Sequence, residues 1–582
     1  MAYLVTGRRI ACLAGTMVVL MWAGAGGAQV QTGRAVLPTR EDLNPVPDAQ
    51  TEARPRLSIV DDIERSPCPL ADPKFAGVTV PVNNVTFNNL KGVSPEEMRA
   101  AWAPFAGTRQ PVAVLCEIRD AAATIVRKHG YLAAVQVPTQ RIEKGEILME
   151  MLYARVVAVR ARGETQGAEA MIARYLKPLS EDEVFDRNRA ERYLLLARDL
   201  PGYNVQLTLK PAGTVPGEVV GEVTVVRRAY AVDFTVQNLS SRAVGRWGGQ
   251  VRAQFFGLTG MGDATSISLY STADLAEQQI LQIGHEFRIG GEGLKIAGQF
   301  TQAWTAPDIG QANGLTPLRA WTSYGSVQAS LPMVLRQAHS LTVGGGLDIV
   351  DQRVNFAGVP INRDRLRVLF ARVSGEAIDL GAQRPRWRMA GSVEVRKGVS
   401  IFGATDCGYF CAISTSRSDG EATAGLVRAS GVAEVALGKS FALSFAPRVQ
   451  IAFDPLFAFE EFTGGNYTIG RGFDPGTING DSGIGAAVEL RAAGFTLGSL
   501  EKLVLRPYLF ADAARTWDKK TALSLPARGL VSLGGGLRAD LSDRLRLDAT
   551  LAVPTDTTGI VADRSARFLL TLTTRILPWS AR

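Results

Sequence analysis

Gly480-Asp481-Ser482-Gly483 is the segment in which a side chain could act as a nucleophile. A serine becomes nucleophilic when a histidine removes its proton and a buried aspartate orients that histidine. The 3 histidines are His129, His285 and His339, and none has the sequence context of such a base. We therefore predict no catalytic residue, and we interpret Asp481 as part of a loop turn that helps to pack the end of its loop.

The first 28 residues have the three parts of an export signal. Arg8 and Arg9 give a positive start, residues 10–22 are apolar, and small residues end at Ala28, after which we expect cleavage. The mature chain then folds outside the inner membrane, in a compartment where disulfides form.

Four cysteines remain after this signal peptide. Cys407 and Cys411 could close a small loop, and Cys68 and Cys116 could tie two segments together, with free thiols as the alternative. A zinc site is less favoured because no histidine lies near either pair. We predict no metal and no cofactor.

Composition narrows the class of protein further. The chain has 582 residues and a net charge of +8, without a basic cluster dense enough to predict a nucleic-acid partner. After residue 28, no apolar run reaches the ~18 residues of a membrane-spanning helix. The chain is then either soluble and exported or a membrane β-barrel, which also satisfies its backbone within lipid.

Residues 29–78 are rich in proline and charged residues and predict a linker, with a plug segment as the alternative. Residues 79–152 and 153–228 predict two small α/β domains that repeat one pattern. In the first, Ser94-Pro-Glu-Glu97 is a capping box. A helix over 112–128 and strands over 132–138 and 147–159 follow it.

The second unit repeats these signals. Ser180-Glu-Asp-Glu183 predicts another capping box, and residues 187–198 predict a helix. Strands are expected over 205–209 and 219–226. Gly130-Tyr131 and Gly202-Tyr203 occupy equivalent places after the second helix of each unit.

Residues 229–582 predict an all-β membrane barrel of about 16 antiparallel strands, each needing ~10 residues to cross the bilayer. Apolar and polar residues alternate, for example over 230–237, 545–551 and 568–576. Turns are expected at Gly262-Asp263, Arg363-Asp364 and Ser542-Asp543. A soluble β-sandwich or propeller is the alternative, which the charged residues at lumen-facing positions disfavour.

Two motifs in this region resemble those of two-partner secretion transporters, which include the haemolysin and filamentous-haemagglutinin transporters. Arg471-Gly472-Phe473 resembles the tip of a long loop that is folded back into the barrel in that family. Phe510-Ala-Asp512-Ala-Ala514 resembles its barrel-wall motif, except that Ala514 stands where the family has glycine. The resemblance continues upstream, where both α/β units resemble polypeptide-transport-associated (POTRA) domains.

The resemblance implies that Arg471 pairs with Asp512 inside the barrel. It also implies an outer-membrane protein with periplasmic POTRA domains that bind an unfolded partner polypeptide, an adhesin or haemolysin, and pass it outward through the barrel. Family members often carry a plug helix ahead of the POTRA domains, which the prolines of residues 29–78 disfavour here.

Further partners follow from this placement: outer-membrane lipid, and the barrel-assembly machinery during biogenesis. A general barrel-assembly factor of the same superfamily is the first alternative, although such factors often carry more periplasmic domains. A passive porin is the second, although a porin has no need of 150 residues of periplasmic domains.

Overall fold

The computed structural model describes ten stretches of the chain: residues 39–43, 60–61, 68–212, 217–308, 318–381, 385–406, 411–497, 500–521, 524–542 and 544–578. The expected signal peptide, residues 1–28, and most of the expected linker lie outside these residues. No described helix is long and apolar enough to cross a membrane.

The described part of the chain before residue 229 contains five α-helices and nine strands. The helices are α1 (Pro95–Met98), α2 (Val114–Lys128), α3 (Glu169–Leu176), α4 (Pro178–Glu181) and α5 (Arg187–Arg198). The strands are β1 (Val60–Asp61), β2 (Thr79–Val82), β3 (Asn84–Asn88), β4 (Thr108–Pro111), β5 (Ala133–Gln136), β6 (Glu146–Tyr153), β7 (Arg155–Gly163), β8 (Tyr203–Pro211) and β9 (Glu218–Arg227).

These elements form two α/β units with the same topology. In the first, the sheet order is β3-β6-β5, with β3 parallel and β5 antiparallel to β6. In the second, β7 is parallel and β8 antiparallel to β9. Helices α1 and α2 separate the first strand from the hairpin in the first unit, and α3, α4 and α5 do so in the second, so both units repeat a strand–helices–hairpin order.

The structure corrects two local predictions in these units. The run over 147–159 is two strands, because the chain passes from the first sheet to the second at Ala154 between β6 and β7. Ser180 does not cap a helix but lies within α4. Helix α5 is instead capped by Asp186, whose side chain accepts a hydrogen bond from the Asn188 N–H. In contrast, Ser94 and Glu97 form the expected capping box of α1.

A disulfide joins Cys68 to Cys116 at the start of α2. It therefore fastens the segment before the first unit to the helix at its core. Cys411 is disulfide-bonded, whereas Cys407 lies outside the described residues.

Nineteen strands follow in the described residues from 229 onward. They are β10 (Tyr230–Gln237), β11 (Gly248–Phe256), β12 (Ala264–Thr272), β13 (Gln278–Ile289), β14 (Leu294–Thr305), β15 (Leu318–Leu335), β16 (His339–Phe356), β17 (Val359–Ile378), β18 (Trp387–Gly398), β19 (Gly425–Leu437), β20 (Phe441–Ala452), β21 (Phe462–Gly464), β22 (Ile478–Gly480), β23 (Ser482–Ala492), β24 (Phe495–Leu497), β25 (Leu500–Trp517), β26 (Arg528–Leu541), β27 (Leu545–Thr558) and β28 (Arg567–Leu577).

These strands close into an antiparallel barrel. Strands β10–β20, β23 and β25–β28 are sixteen barrel strands within the described residues, and the short β24 continues β23 along β25. Strand β10 pairs with β28, which closes the ring without a free edge. Side chains alternate between an outer apolar face and a polar lumen, as the period-two pattern predicts.

One predicted turn is wrong. Arg363-Asp364 lies within strand β17, and the chain turns instead at Ala357-Gly358, where both residues have positive φ angles of 53° and 80°. Two consecutive positive φ angles give the tight hairpin geometry that matches the twist of paired strands. The hairpin of β16 and β17 is therefore longer than the sequence pattern indicated.

The second α/β unit is docked against one end of the barrel, here called the proximal end. The Glu292 carboxylate, in the turn between β13 and β14, accepts hydrogen bonds from Arg192 Nε at 3.1 Å and from Tyr193 Oη at 3.0 Å. Leu335 at the end of β15 is buried in the core of that unit. These contacts place the unit directly below the lumen.

Candidate functional site

The connection from β20 to β23, residues 453–481, starts at the distal end of the barrel and folds back into the lumen. Its strands β21 and β22 pair as a short hairpin in which Phe462 and Ile478 are buried. The hairpin presents Arg471 at its tip, where residues of β23, β25 and β26 surround it. We call this segment the lumenal loop.

Arg471 makes a two-pronged contact with Asp512 on β25. Its Nε lies 3.0 Å from Asp512 Oδ2 and its Nη2 lies 2.8 Å from Oδ1, while the Arg471 backbone N–H also donates to Oδ2 at 2.9 Å. The guanidinium lies over the Phe510 ring at 3.6 Å from its centroid. Such a planar fork on a carboxylate, stacked on an aromatic face, is a contact that lysine cannot reproduce.

The charge network extends along the wall from this contact. Glu489 on β23 accepts from Arg471 Nη1 at 3.0 Å and from Arg538 Nη1 at 2.5 Å. We call Arg471, Glu489, Asp512 and Arg538 the loop-tip cluster. Although burial alone lowers the pKa of Arg471, the hydrogen bonds and charges of Asp512 and Glu489 outweigh it and raise that pKa above its usual value. Arg471 is therefore held as a cation.

Gly472 and Phe473 fix the loop tip against the wall. The Gly472 N–H donates to Ser532 Oγ at 3.2 Å, and a Cβ at this position would lie 2.7 Å from the Ser532 Cβ, so only glycine permits this approach. Phe473 is buried with Ile469, Ile478 and Leu530. The tip thus combines an ion pair with a small apolar contact.

Ala514, which departs from the family's wall motif, belongs to the same apolar contact. It pairs directly with Gly485 across β23 and β25. Because Gly485 has no side chain, the methyl group of Ala514 fits beside the loop.

A second charged cluster holds the base of the lumenal loop. Glu460 accepts from Arg396 Nε at 2.9 Å and from Arg428 Nη2 at 2.7 Å. Arg396, which is 1% exposed, also donates to Asp348 at 2.8 Å and to Glu394 at 3.1 Å. We call Asp348, Glu394, Arg396 and Glu460 the loop-base cluster. The sequence analysis did not identify these residues, because they are spread over more than 100 positions without a shared motif.

Residues 39–43 of the expected linker lie inside the lumen against this cluster. Gln282 Nε2 donates to the Leu43 carbonyl at 2.9 Å, and Arg40 lies 3.4 Å from Asp348 Oδ2. The segment separates a distal cavity of about 540 Å³, lined by Thr39 and Asp42, from a proximal cavity of about 550 Å³, lined by Arg40 and Leu43. It includes a single 3-10 turn at Glu41–Leu43.

Asp481, expected to be a packing turn, joins three distal loops. Its carboxylate accepts from Arg417 Nη1 at 2.6 Å, from the Leu456 N–H at 2.7 Å and from the Lys519 N–H at 2.8 Å. Asp419 binds the same guanidinium through Nε at 2.6 Å. Asp481 is fully buried, so it acts as a junction between loops rather than as a solvated turn.

The geometry therefore brings together Arg471, Gly472, Phe473, Phe510 and Asp512, the five residues that the two motifs supplied. Glu489 and Arg538 were not predicted, although their lumen-facing positions in alternating strands could have suggested them. Among the described residues, no group of three or more His, Cys, Asp or Glu side chains could hold a metal ion.

Comparison with known proteins adds independent observations. The model of the family described as haemolysin secretion/activation protein ShlB/FhaC/HecB matches residues 222–539. The fold is similar to that of CdiB from Escherichia coli, with a TM-score of 0.70 at 15% identity over 87% of this chain and 94% of that chain. It is also similar to CdiB from Acinetobacter baumannii, with a TM-score of 0.62 at 16% identity over 89% of this chain and 95% of that chain. No curated protein matches this chain in sequence.

Proposed function

The chain belongs to the haemolysin secretion/activation protein family ShlB/FhaC/HecB, and we propose that it recruits an unfolded adhesin- or haemolysin-type polypeptide and releases its lumenal loop to let that polypeptide pass. As a member of this family it is a two-partner secretion transporter of the outer membrane, with POTRA domains in the periplasm. We assign residues 1–28 to a signal peptide, 79–152 and 153–228 to the POTRA domains, and 229–582 to the barrel.

The observation that carries this proposal is the loop-tip cluster. The lumenal loop and residues 39–43 fill the centre of the lumen, so a polypeptide can pass only if both are displaced. The tip is held by charged hydrogen bonds next to Gly472 and Phe473, which line the distal cavity, so water and the polar backbone of a passing chain can approach and replace them. The obstruction also argues against a passive porin.

Recruitment is supported by the second sheet. Its β8 edge pairs in parallel with Val60–Asp61 of the same chain, which shows that this edge accepts an extended segment. We propose that the unfolded partner adds to a POTRA sheet edge in the same manner.

A photo-crosslinking residue at Lys210, exposed on β8, tests this recruitment step. It should capture the exported polypeptide in transit, whereas the same probe at Arg141, exposed in the first unit, should capture much less. Equal capture at the two positions would contradict docking at the β8 edge.

A double-mutant cycle tests the loop-tip cluster. The partner is expected to be encoded beside the transporter, and its appearance in the medium measures secretion. Arg471→Ala should reduce secretion at least about tenfold, because the loop loses the charged hydrogen bonds, worth ~1.5–3 kcal/mol, that fix the resting position from which it is released in an ordered way. Asp512→Ala should act similarly, and the double variant should be no worse than either single variant.

The matched control is the exposed ion pair between Arg506 on β25 and Asp540 on β26. Arg506→Ala should leave secretion unchanged, since exposed pairs contribute little. Conductance of the purified protein in planar bilayers provides a readout that needs no partner, and it should change in Arg471→Ala. Additive effects of Arg471→Ala and Asp512→Ala on secretion would show that the two residues do not act as a pair.

A further inference from the structure

The outer wall of strands β15, β16 and β17 continues beyond the membrane. On β16, the outward-facing positions from Leu341 to Ile349 carry apolar residues or glycine, a span of nine residues. This is about the length that a strand needs to cross the bilayer core. The next outward positions are Asp351 and Arg353, so the apolar band ends there on the extracellular side.

Four arginines lie on this outer wall just beyond the apolar band: Arg319, Arg353, Arg363 and Arg365. Strand register fixes their common face, because Arg353 pairs with both Trp321 and Arg363, and Arg365 pairs with Asp351. Arg319 pairs with Asn355, one step further out. We call these four residues the outer arginine cluster.

Within the described residues, none of the four side chains of the cluster forms an ion pair. The adjacent carboxylate, Asp351, is bound instead by a fifth arginine, Arg367, at 2.8 Å. Arg367 is 5% exposed, and its Nη1 also donates to the Val350 and Leu366 carbonyls. In the lumen, by contrast, both named clusters pair each arginine with carboxylates.

Two features of this wall point to an anion as the missing component. Arg353 and Arg363 are directly opposite across β16 and β17, an arrangement of like charges that is destabilising unless an anion lies between them. The Arg353 guanidinium also lies 5.2 Å from the ring centroid of Trp321. That contact holds the charge at the interface, where aromatic residues of such barrels sit.

We propose that the outer arginine cluster binds the phosphate groups of a phosphorylated glycolipid in the outer leaflet of the outer membrane. A guanidinium binds phosphate through two parallel hydrogen bonds. The lipid-facing side chains of Val327 and Leu369 lie on the same face below the cluster, so the acyl chains of one amphipathic molecule contact them while its phosphates reach the arginines. This inference depends on the membrane position of the barrel and not on the transport step.

The experiment uses the full-length protein in detergent micelles with bisphosphorylated lipid A as the probe. Wild-type protein should bind it far more tightly than dephosphorylated lipid A. Replacing all four arginines by glutamine should weaken binding on the order of 1,000-fold, from the typical contribution of each arginine near an anionic surface. The control replaces four exposed arginines of the periplasmic units by glutamine, and it should bind lipid A as wild type does: Arg109, Arg141, Arg160 and Arg228.

The smaller variant Arg353→Gln/Arg363→Gln separates weaker lipid A binding from a folding defect. It removes the opposed like charges, so it should fold at least as well as wild type and still bind bisphosphorylated lipid A about thirtyfold more weakly. Unchanged binding by this variant would overturn the proposal. Full competition by millimolar inorganic phosphate would also overturn it, because the site would then take a soluble anion. Lost secretion with intact lipid A binding would instead assign the cluster to the emerging polypeptide.

Discussion

The loop-tip and loop-base clusters hold the same lumenal loop with the same chemistry, but they differ in burial and in origin. At the tip, the Arg471 side chain is 19% exposed, and the adjacent Gly472 and Phe473 line the distal cavity. At the base, Arg396 is 1% exposed and has three carboxylate partners. We propose from this difference that the loop is anchored at its base and released at its tip.

The largest expected effect comes from breaking the anchor. Arg396→Ala removes the one arginine that Asp348, Glu394 and Glu460 share. Each carboxylate keeps a second arginine partner (Arg40, Arg372 and Arg428, respectively), so we expect a cost near the lower end of the ~3–5 kcal/mol typical when one partner of a buried pair is removed. We expect the boiled and unboiled forms of the variant to differ less on a denaturing gel, because less barrel is folded, and we expect it to unfold at lower urea. Arg252→Ala, at an exposed lumenal position, is the control. If Arg396→Ala unfolds at the same urea concentration as wild type, the loop-base cluster does not anchor the loop more firmly than the loop-tip cluster does.

The two clusters also differ in how far the sequence could predict them. The tip residues fall in two short motifs one hairpin apart, so the spacing of residues along the sequence was sufficient to predict them. The base joins Asp348 on β16 to Glu460 in the lumenal loop, and only closure of the barrel brings these positions together. Alternation along β16 is consistent with a lumen-facing Asp348, but it says nothing of Glu460 in the loop, and strand register and loop path decide which charges meet.

Local sequence patterns do not report contacts between distant residues, and this explains which other predictions were right or wrong. Strand number and polarity followed from local alternation, whereas the turn expected at Arg363-Asp364 was wrong because a charged pair within a long strand resembles a turn signal. Residues 39–43 fall in a segment expected as linker with a plug segment as the alternative, and their place in the lumen depends on distant partners such as Gln282 and Asp348.

The second expected effect concerns the distal junction that covers both clusters. Asp481→Ala removes the carboxylate that accepts hydrogen bonds from two backbone N–H groups and forms an ion pair with Arg417. Asp419 still compensates the charge of that arginine. The loss of ~1–3 kcal/mol should act locally. Protease cleavage of the distal loops in intact cells should increase, with the urea unfolding of the barrel unchanged. A general loss of barrel stability would instead make Asp481 part of the anchor.

A smaller effect is expected when the tip keeps its charge but loses its geometry. Lysine in place of Arg471 retains a cation but cannot reach both Asp512 oxygens and Glu489 with a planar fork. The loss of about 1.5 kcal/mol should lower secretion roughly tenfold while heat-modifiable migration stays normal. Arg396→Lys, compared in the same assays, should mainly affect folding. Wild-type secretion by Arg471→Lys would show that charge alone holds the tip.

The smallest effect is expected at Ala514, where the apolar side of the tip can be separated from its ion pair. Ala514→Gly removes one buried methyl group and should cost about 1 kcal/mol in unfolding free energy. Gly485→Ala should cost more, because its Cβ would lie 3.0 Å from the Ala513 carbonyl oxygen and 3.1 Å from the Ala514 Cβ. In the double variant the second contact disappears, so the two costs should sum to more than the measured loss. Strict additivity would mean that the two positions do not compensate each other. Since neither change touches Arg471, secretion should follow the ion pair and stay near wild type in Ala514→Gly, which distinguishes packing at the tip from the charged contact that holds it until release.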